Sequence, residues 1–188
     1  MPNTKMLSNI TWGIGFSLIV LLMSSTASYI GIQEQNRHRR ELAVTRKIIN
    51  ISNSALNSLQ GAETGDRGFL LTGKESYLEP FNNALANLPA ELKEMDMLTH
   101  QDPVQGVKVD SFLTAANLRL EILKESVATK RKGGVVSVAQ LDRSKMVMDR
   151  CRQIIDEIIQ YEEENIDRKS AKVDNSSSIT TLFIVISA

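Results

Sequence analysis

Residues Asp102 to Gly134 read DPVQGVKVDSFLTAANLRLEILKESVATKRKGG, and this stretch decides the fold. Asp102 suits a helix N-cap, Pro103 suits the first helical position, and Gln105 stands where a capping-box partner belongs. Val109, Phe112, Leu113, Ala116, Leu120, Leu123 and Val127 then recur at three- and four-residue spacing, which makes one apolar face of a helix. Lys130-Arg-Lys132 follows, favourable where the helix macrodipole ends negative. Gly133-Gly134 ends the element.

The pattern repeats on both sides. Upstream, Ile48, Ser52, Ala55, Leu56, Leu59 and Glu63 form one stripe. Tyr77, Leu78, Phe81, Leu85, Leu88, Leu92, Met95 and Leu98 form another. Pro80 lies near the start of that second helix, where proline is tolerated, and Pro89 lies inside it and should kink it. Downstream, Ser137-Val-Ala-Gln140 opens a helix whose stripe is Leu141, Met148, Cys151, Ile155, Ile158, Ile159 and Glu162. From Glu162 to Ser178 the chain turns polar, with Ile166 and Val173 isolated. A helix from Val138 to Asp174 would reach roughly 55 Å at about 1.5 Å per residue. Short connections between long amphipathic helices make antiparallel neighbours, so the expected fold is all-α, an up-down four-helix bundle. Both chain ends would then leave the bundle on one side.

Two apolar segments frame this bundle. Met6 to Gln33 carries no charge, and its dense centre, Ile14 to Met23, makes the whole long enough to cross a bilayer of roughly 30 Å. The rival is a cleavable signal peptide, since Ser25-Thr-Ala27 resembles a small-residue cleavage site. At the other end the chain stops inside a rising apolar run, Ile179 to Ala188, which suggests a second transmembrane helix cut short and a longer parent protein. A small apolar strand or tail is the alternative. The expected organisation is therefore a cytoplasmic tail over 1–9, a first transmembrane helix over 10–32, an extracytoplasmic bundle over 33–177, and the start of a second, truncated transmembrane helix over 178–188.

Charge does not by itself fix that orientation. Lys5 precedes the first span, whereas Arg37, Arg39 and Arg40 follow it, a count that runs against the positive-inside tendency. Long segments between spans translocate largely regardless of charge. The cluster Arg37-His-Arg-Arg40 is expected at the lipid headgroups. Within the span, Gly13 and Ser17, Ser24 and Ser28, and Ala27 and Gly31 are four apart, a spacing that lets helix backbones approach closely in lipid.

The 22 acidic and 22 basic side chains cancel, which argues against nucleic-acid binding. One cysteine, Cys151, excludes an intrachain disulfide and is expected as a small core residue. His38 and His100 are too far apart in sequence to suggest a metal cluster. His100 falls at the turn between the second and third helices and is expected to be solvated. Glu162-Glu-Glu164 reads as a solvated helix face. No nucleophile-base set or phosphate-binding glycine loop appears, so neither catalytic residues nor a cofactor is expected.

One stretch does not fit a plain helix: Glu63-Thr64-Gly65-Asp66-Arg67-Gly68-Phe69-Leu70-Leu71-Thr72-Gly73. A glycine inside a helix costs about 1 kcal/mol relative to alanine. Three within nine residues imply a helix end, a bend, or close approach of another backbone. Glu63 and Arg67 are four apart and continue the stripe of Leu56, Leu59 and Leu70. They form an exposed pair contributing under about 1 kcal/mol, a buried structural or switch pair, or a ligand contact.

This stretch, followed by Tyr77-Leu-Glu-Pro-Phe81, resembles the signature of CHASE3 domains. Leu98-Thr-His-Gln-Asp-Pro-Val-Gln105 and Ser144-Lys-Met-Val-Met-Asp-Arg150 resemble that family's later blocks, and the likeness spans residues 37 to 175. It implies an extracytoplasmic helical sensor between two transmembrane helices. Such domains stand at the front of bacterial sensor histidine kinases, chemoreceptors and cyclic-nucleotide signalling enzymes. The expected partners are the lipid bilayer, a second copy of the chain in a homodimer, and a small-molecule or membrane stimulus of unknown identity. A secreted helical bundle with a binding or structural role is the competing class.

Overall fold

The computed structural model describes the backbone of residues 4–186 and the side chains of residues 12–168. Every regular element in it is helical. Helix α1 runs from Thr4 to Thr72, a short 3-10 turn from Glu75 to Leu78, α2 from Glu79 to Thr99, α3 from Pro103 to Arg131, and α4 from Val138 to Ile186. The chain divides into two compact units, residues 1–43 and 44–188.

The first unit is the N-terminal part of α1. It is long and apolar enough to cross a membrane, and its apolar side chains from Trp12 to Ile32 are exposed. Glu34 meets Arg37 at 2.6 Å and the half-buried His38 at 3.2 Å, both along the helix.

The second unit is four helices packed together. Lys47 meets Glu94 at 2.6 Å, and Ser54 donates to Glu91 at 2.6 Å, so α2 runs antiparallel to α1. Arg131 lies over the Phe69 ring and Arg119 meets Glu63, so α3 runs parallel to α1. Lys108 donates to the Glu157 carbonyl while Arg119 donates to Ser144, so α4 runs back along α3.

The apolar stripes account for this packing. Ile48, Ala55 and Leu59 of α1 meet Leu88, Leu92 and Met95 of α2, Val109, Phe112 and Ala116 of α3, and Met148, Cys151 and Ile155 of α4. A smaller cluster at the other end gathers Ala62, Phe69, Leu78, Phe81, Leu123 and Val127. Burying each large apolar side chain stabilises the fold by about 1.5–3 kcal/mol.

Helix ends follow local chemistry. The Asp102 carboxylate accepts from the Val104 and Gln105 amides, at 2.9 and 3.1 Å. Ser137 Oγ accepts from the Gln140 amide at 3.2 Å. Gly73 closes α1 with φ +70, its amide donating back to the Phe69 carbonyl at 2.7 Å. Only glycine adopts that left-handed backbone without cost.

Three expectations change. Gln105 does not close a capping box: its side chain crosses to α4 and donates to Glu162 Oε1 at 2.9 Å and to the Ile158 carbonyl at 3.2 Å. Glu162 is correspondingly buried, while Glu163 and Glu164 stay exposed, so the acidic run is not one solvated face. Leu141, in the first turn of α4, is 45% exposed, whereas Ile154, outside the expected stripe, is in the core. The helix α2 contains Pro89 within its length. The expected second span is helical in α4 as far as Ile186, but its side chains lie outside the described residues.

Candidate functional site

The glycine-rich stretch lies inside the last turns of α1. Thr64 is exposed and returns its hydroxyl to the Gln60 carbonyl at 2.9 Å. Thr72 does the same to the Gly68 carbonyl at 2.7 Å, and Leu71 is exposed. Phe69 is buried and Leu70 half-buried.

Gly65 and Gly68 are where the chain returns onto α1. A Cβ on Gly65 would stand 2.9 Å from the Tyr77 carbonyl oxygen and 3.0 Å from the Phe81 amide nitrogen. A Cβ on Gly68 would stand 2.6 Å from the Tyr77 ring. The 3-10 turn and the first turn of α2 therefore rest directly on the backbone of α1. That contact requires both glycines at these positions.

On the other side of the same turns is a charged layer. Glu63 Oε2 stands 3.2 Å from Arg119 of α3 and 3.9 Å from Arg152 of α4. Its other oxygen stands 3.6 Å from Arg67. The pairing of Glu63 with Arg67 is thus the peripheral one, because the Arg67 side chain is 73% exposed. The Arg119 side chain is 2% exposed and that of Glu63 is 18% exposed. Arg119 also donates to Ser144 of α4, so one guanidinium joins α1, α3 and α4.

Two further groups complete the layer. Asp66 is 4% exposed and faces the buried Ser126 hydroxyl, although neither its Oδ1 nor that hydroxyl has a partner in good hydrogen-bond geometry. Burial raises the Asp66 carboxyl above its ordinary range, and Ser126 and Arg119 offset only part of that. Burial likewise pulls the Arg119 guanidinium down, with Glu63 acting against it. Cys151 lies in the core nearby, its thiol pushed up to about 11 chiefly by burial, so it is protonated and unreactive at neutral pH.

The layer sits between the two apolar clusters. Along α1, Glu63 and Asp66 fall between Leu59 and Phe69, and along α3, Arg119 falls between Ala116 and Leu123. Arg119, Ser126 and Arg152 were not singled out in the sequence, and Ser144 stood there only as the start of a block resembling the family. A signal existed for the first two: Arg119 is seven residues after Phe112 and four before Leu123, and Ser126 is seven after Arg119. Both lie in phase with the core stripe.

Among the described residues, no group of three or more His, Cys, Asp or Glu side chains is placed to hold a metal ion. His100 is exposed at the turn after α2, its Nδ1 2.9 Å from the Met97 carbonyl.

The CHASE3 domain model matches residues 38–172. This chain belongs to the CHASE3 family, and what it contains is a sensor domain. No curated protein matches the sequence. Among solved structures, the chain is similar to the sensor domain of the Rhodopseudomonas palustris histidine kinase HK9, at 20% identity and a TM-score of 0.43, over 70% of this chain and 98% of that one.

Proposed function

We propose that this chain is the extracytoplasmic input region of a membrane-bound bacterial signalling receptor. In this reading residues 10–32 cross the bilayer, the bundle lies outside the cytoplasm, and residues from 178 onward re-enter the membrane. Beyond them would stand an output module, a kinase first among the candidates, with a chemoreceptor or cyclic-nucleotide enzyme as the others. One observation carries it: a CHASE3 bundle whose first helix, α1, also contains a segment long and apolar enough to span a membrane.

The mechanism follows from the charged layer. A buried ion pair contributes little net stability, yet breaking it is costly, so it fixes helix register more than it strengthens the fold. Glu63, Arg119, Ser144 and Arg152 tie α1 and α4 through α3. These are the helices that lead toward the two apolar ends of the chain. A stimulus that favours one register of α1 over another would shift the population between two packings and carry a small helix displacement toward the membrane. Receptors of this type work as pairs, and the small residues Gly13, Ser17, Ser24, Ala27, Ser28 and Gly31 offer a face for close helix approach in lipid.

Reporter fusions after Gly133, in the loop between α3 and α4, test this topology. Activity is expected from a reporter that works only outside the cytoplasm. Activity from a cytoplasm-only reporter overturns it, and release of the fusion from the membrane after cleavage near Ala27 favours a secreted bundle.

A further inference from the structure

The buried layer holds one carboxylate more than its buried guanidinium offsets. Arg119 and Glu63 face each other at 3.2 Å and balance. Asp66 lies three residues further along α1, is more deeply buried than Glu63, and leaves Oδ1 without a partner. Opposite it on α3 is Ser126, also buried, its hydroxyl outside good hydrogen-bond geometry yet facing the carboxyl closely enough to act on it. An ionised carboxylate in that place would carry a desolvated charge with no ion pair of its own, since Arg119 is engaged by Glu63, and that is costly. A protonated carboxyl is neutral, so burial costs it far less, and it can still bond to the Ser126 oxygen.

We infer that Asp66 is a proton-operated element of the bundle: with its proton, the carboxyl packs neutral against Ser126 across the α1–α3 contact, and without it a buried charge loosens that contact. The step takes one proton from solvent and breaks no covalent bond. The groups that act on Asp66 are Arg119 and Ser126 from α3 and Glu63 and Arg67 from α1. At the edge of the layer Arg152 of α4 stands 3.9 Å from Glu63, and Tyr77 of the 3-10 turn covers Gly68.

Burial raises the carboxyl in the folded chain above its ordinary value of 3.8. The folded state therefore binds this proton more tightly than the unfolded chain does. The stabilisation is complete below the unfolded value and is lost as pH rises through the folded one. The α1–α3 contact tightens in acid. The use of this response as a signal rests on the receptor reading, whereas the response itself belongs to the bundle and is measured there.

Hydrogen exchange of the amides from Ala62 to Leu70 tests it, on the full chain in lipid nanodiscs, at neutral and mildly acidic pH and corrected for the intrinsic pH dependence of exchange. Protection is expected to rise severalfold on acidification. In Asp66→Asn it should be high and equal at both pH values, and in Ser126→Ala, where the hydroxyl no longer holds the carboxyl down, the rise should persist. An undiminished rise in Asp66→Asn, or no rise in the wild-type chain, overturns the proposal. Should Asp66→Asn fail to fold, spectra of the wild-type chain with isotope-labelled aspartate decide. One carboxyl should titrate above the ordinary range, and a set in which every carboxyl titrates within it overturns the proposal.

Discussion

Arg119 stands 3.2 Å from Glu63 with its own side chain 2% exposed, and it is the only arginine among the described residues that is buried in the core. Removing either partner leaves the other's charge with only weaker company, Arg67 and Arg152 for Glu63 and Asp66 for Arg119. Arg119→Ala and Glu63→Ala should each destabilise the bundle by about 3–5 kcal/mol. Joint replacement by neutral residues of similar volume, Glu63→Gln with Arg119→Met, should cost far less than the sum. Arg67→Ala, at the exposed periphery, should change stability by no more than about 0.5 kcal/mol. Thermal unfolding of the four variants checks this ordering.

The close approach at Gly65 yields a second expectation. Gly65→Ala places a methyl group 2.9 Å from the Tyr77 carbonyl oxygen, and overpacking of this kind costs about 1–3 kcal/mol. Gly61 is the internal control. It lies one turn earlier on the same helix, its nearest neighbour would be Pro80 at 3.8 Å, and alanine there should gain up to about 1 kcal/mol of helix propensity. Opposite signs in the two melting shifts are expected.

Asp102 has two roles at the start of α3. One carboxylate oxygen caps the helix and the other accepts from the Tyr161 hydroxyl at 2.9 Å. That hydrogen bond raises the Tyr161 phenol above its ordinary range, with burial adding to it. Asp102→Ala should cost about 1 kcal/mol or somewhat more through the lost cap. It should also return the Tyr161 phenol toward its ordinary range in a spectroscopic pH titration. Asp102→Asn should keep most of the cap.

The four helices were legible because their stripes follow the three/four period closely. Ile48, Ala55 and Leu59 of α1, Leu88, Leu92 and Met95 of α2, Val109, Phe112 and Ala116 of α3, and Met148, Cys151 and Ile155 of α4 all lie in the core. The caps at Asp102 and Ser137 were legible for a related reason, since they depend on neighbours along the chain. What the sequence hid is set by contacts between helices. Gln105 sits at a capping-box position, and only the neighbouring α4 reveals that its amide is needed by Glu162. Arg119 is in phase with the core stripe, yet an arginine there reads as a flank until Glu63 is seen opposite it. Glu63 and Arg67 were paired by spacing alone, whereas the stronger partner lies 56 residues further along the chain (119 − 63).

Pairing of chains in the membrane is checked by cysteine substitution in a Cys151→Ser background. Crosslinks are expected at Ser24, Ser28 or Gly31, on the small-residue face of the first span, and not at Leu21 or Leu22. Absence of crosslinks, or equal yields everywhere, removes the dimer while leaving the bundle's placement untouched.

The placement itself is the central claim, and one labelling experiment tests it most directly. Lys132 is exposed at the end of α3, while native Cys151 is buried with its thiol pushed up to about 11 and should stay silent toward maleimides. A Lys132→Cys chain is exposed to a membrane-impermeant maleimide in cells with a permeable outer envelope and an intact inner membrane. The membranes are then washed at high pH to strip peripheral proteins. Labelling before lysis, on a chain that stays with the washed membrane at full length, is the predicted result. Labelling only after the inner membrane is broken, or recovery of the chain as a shortened soluble protein, would contradict it.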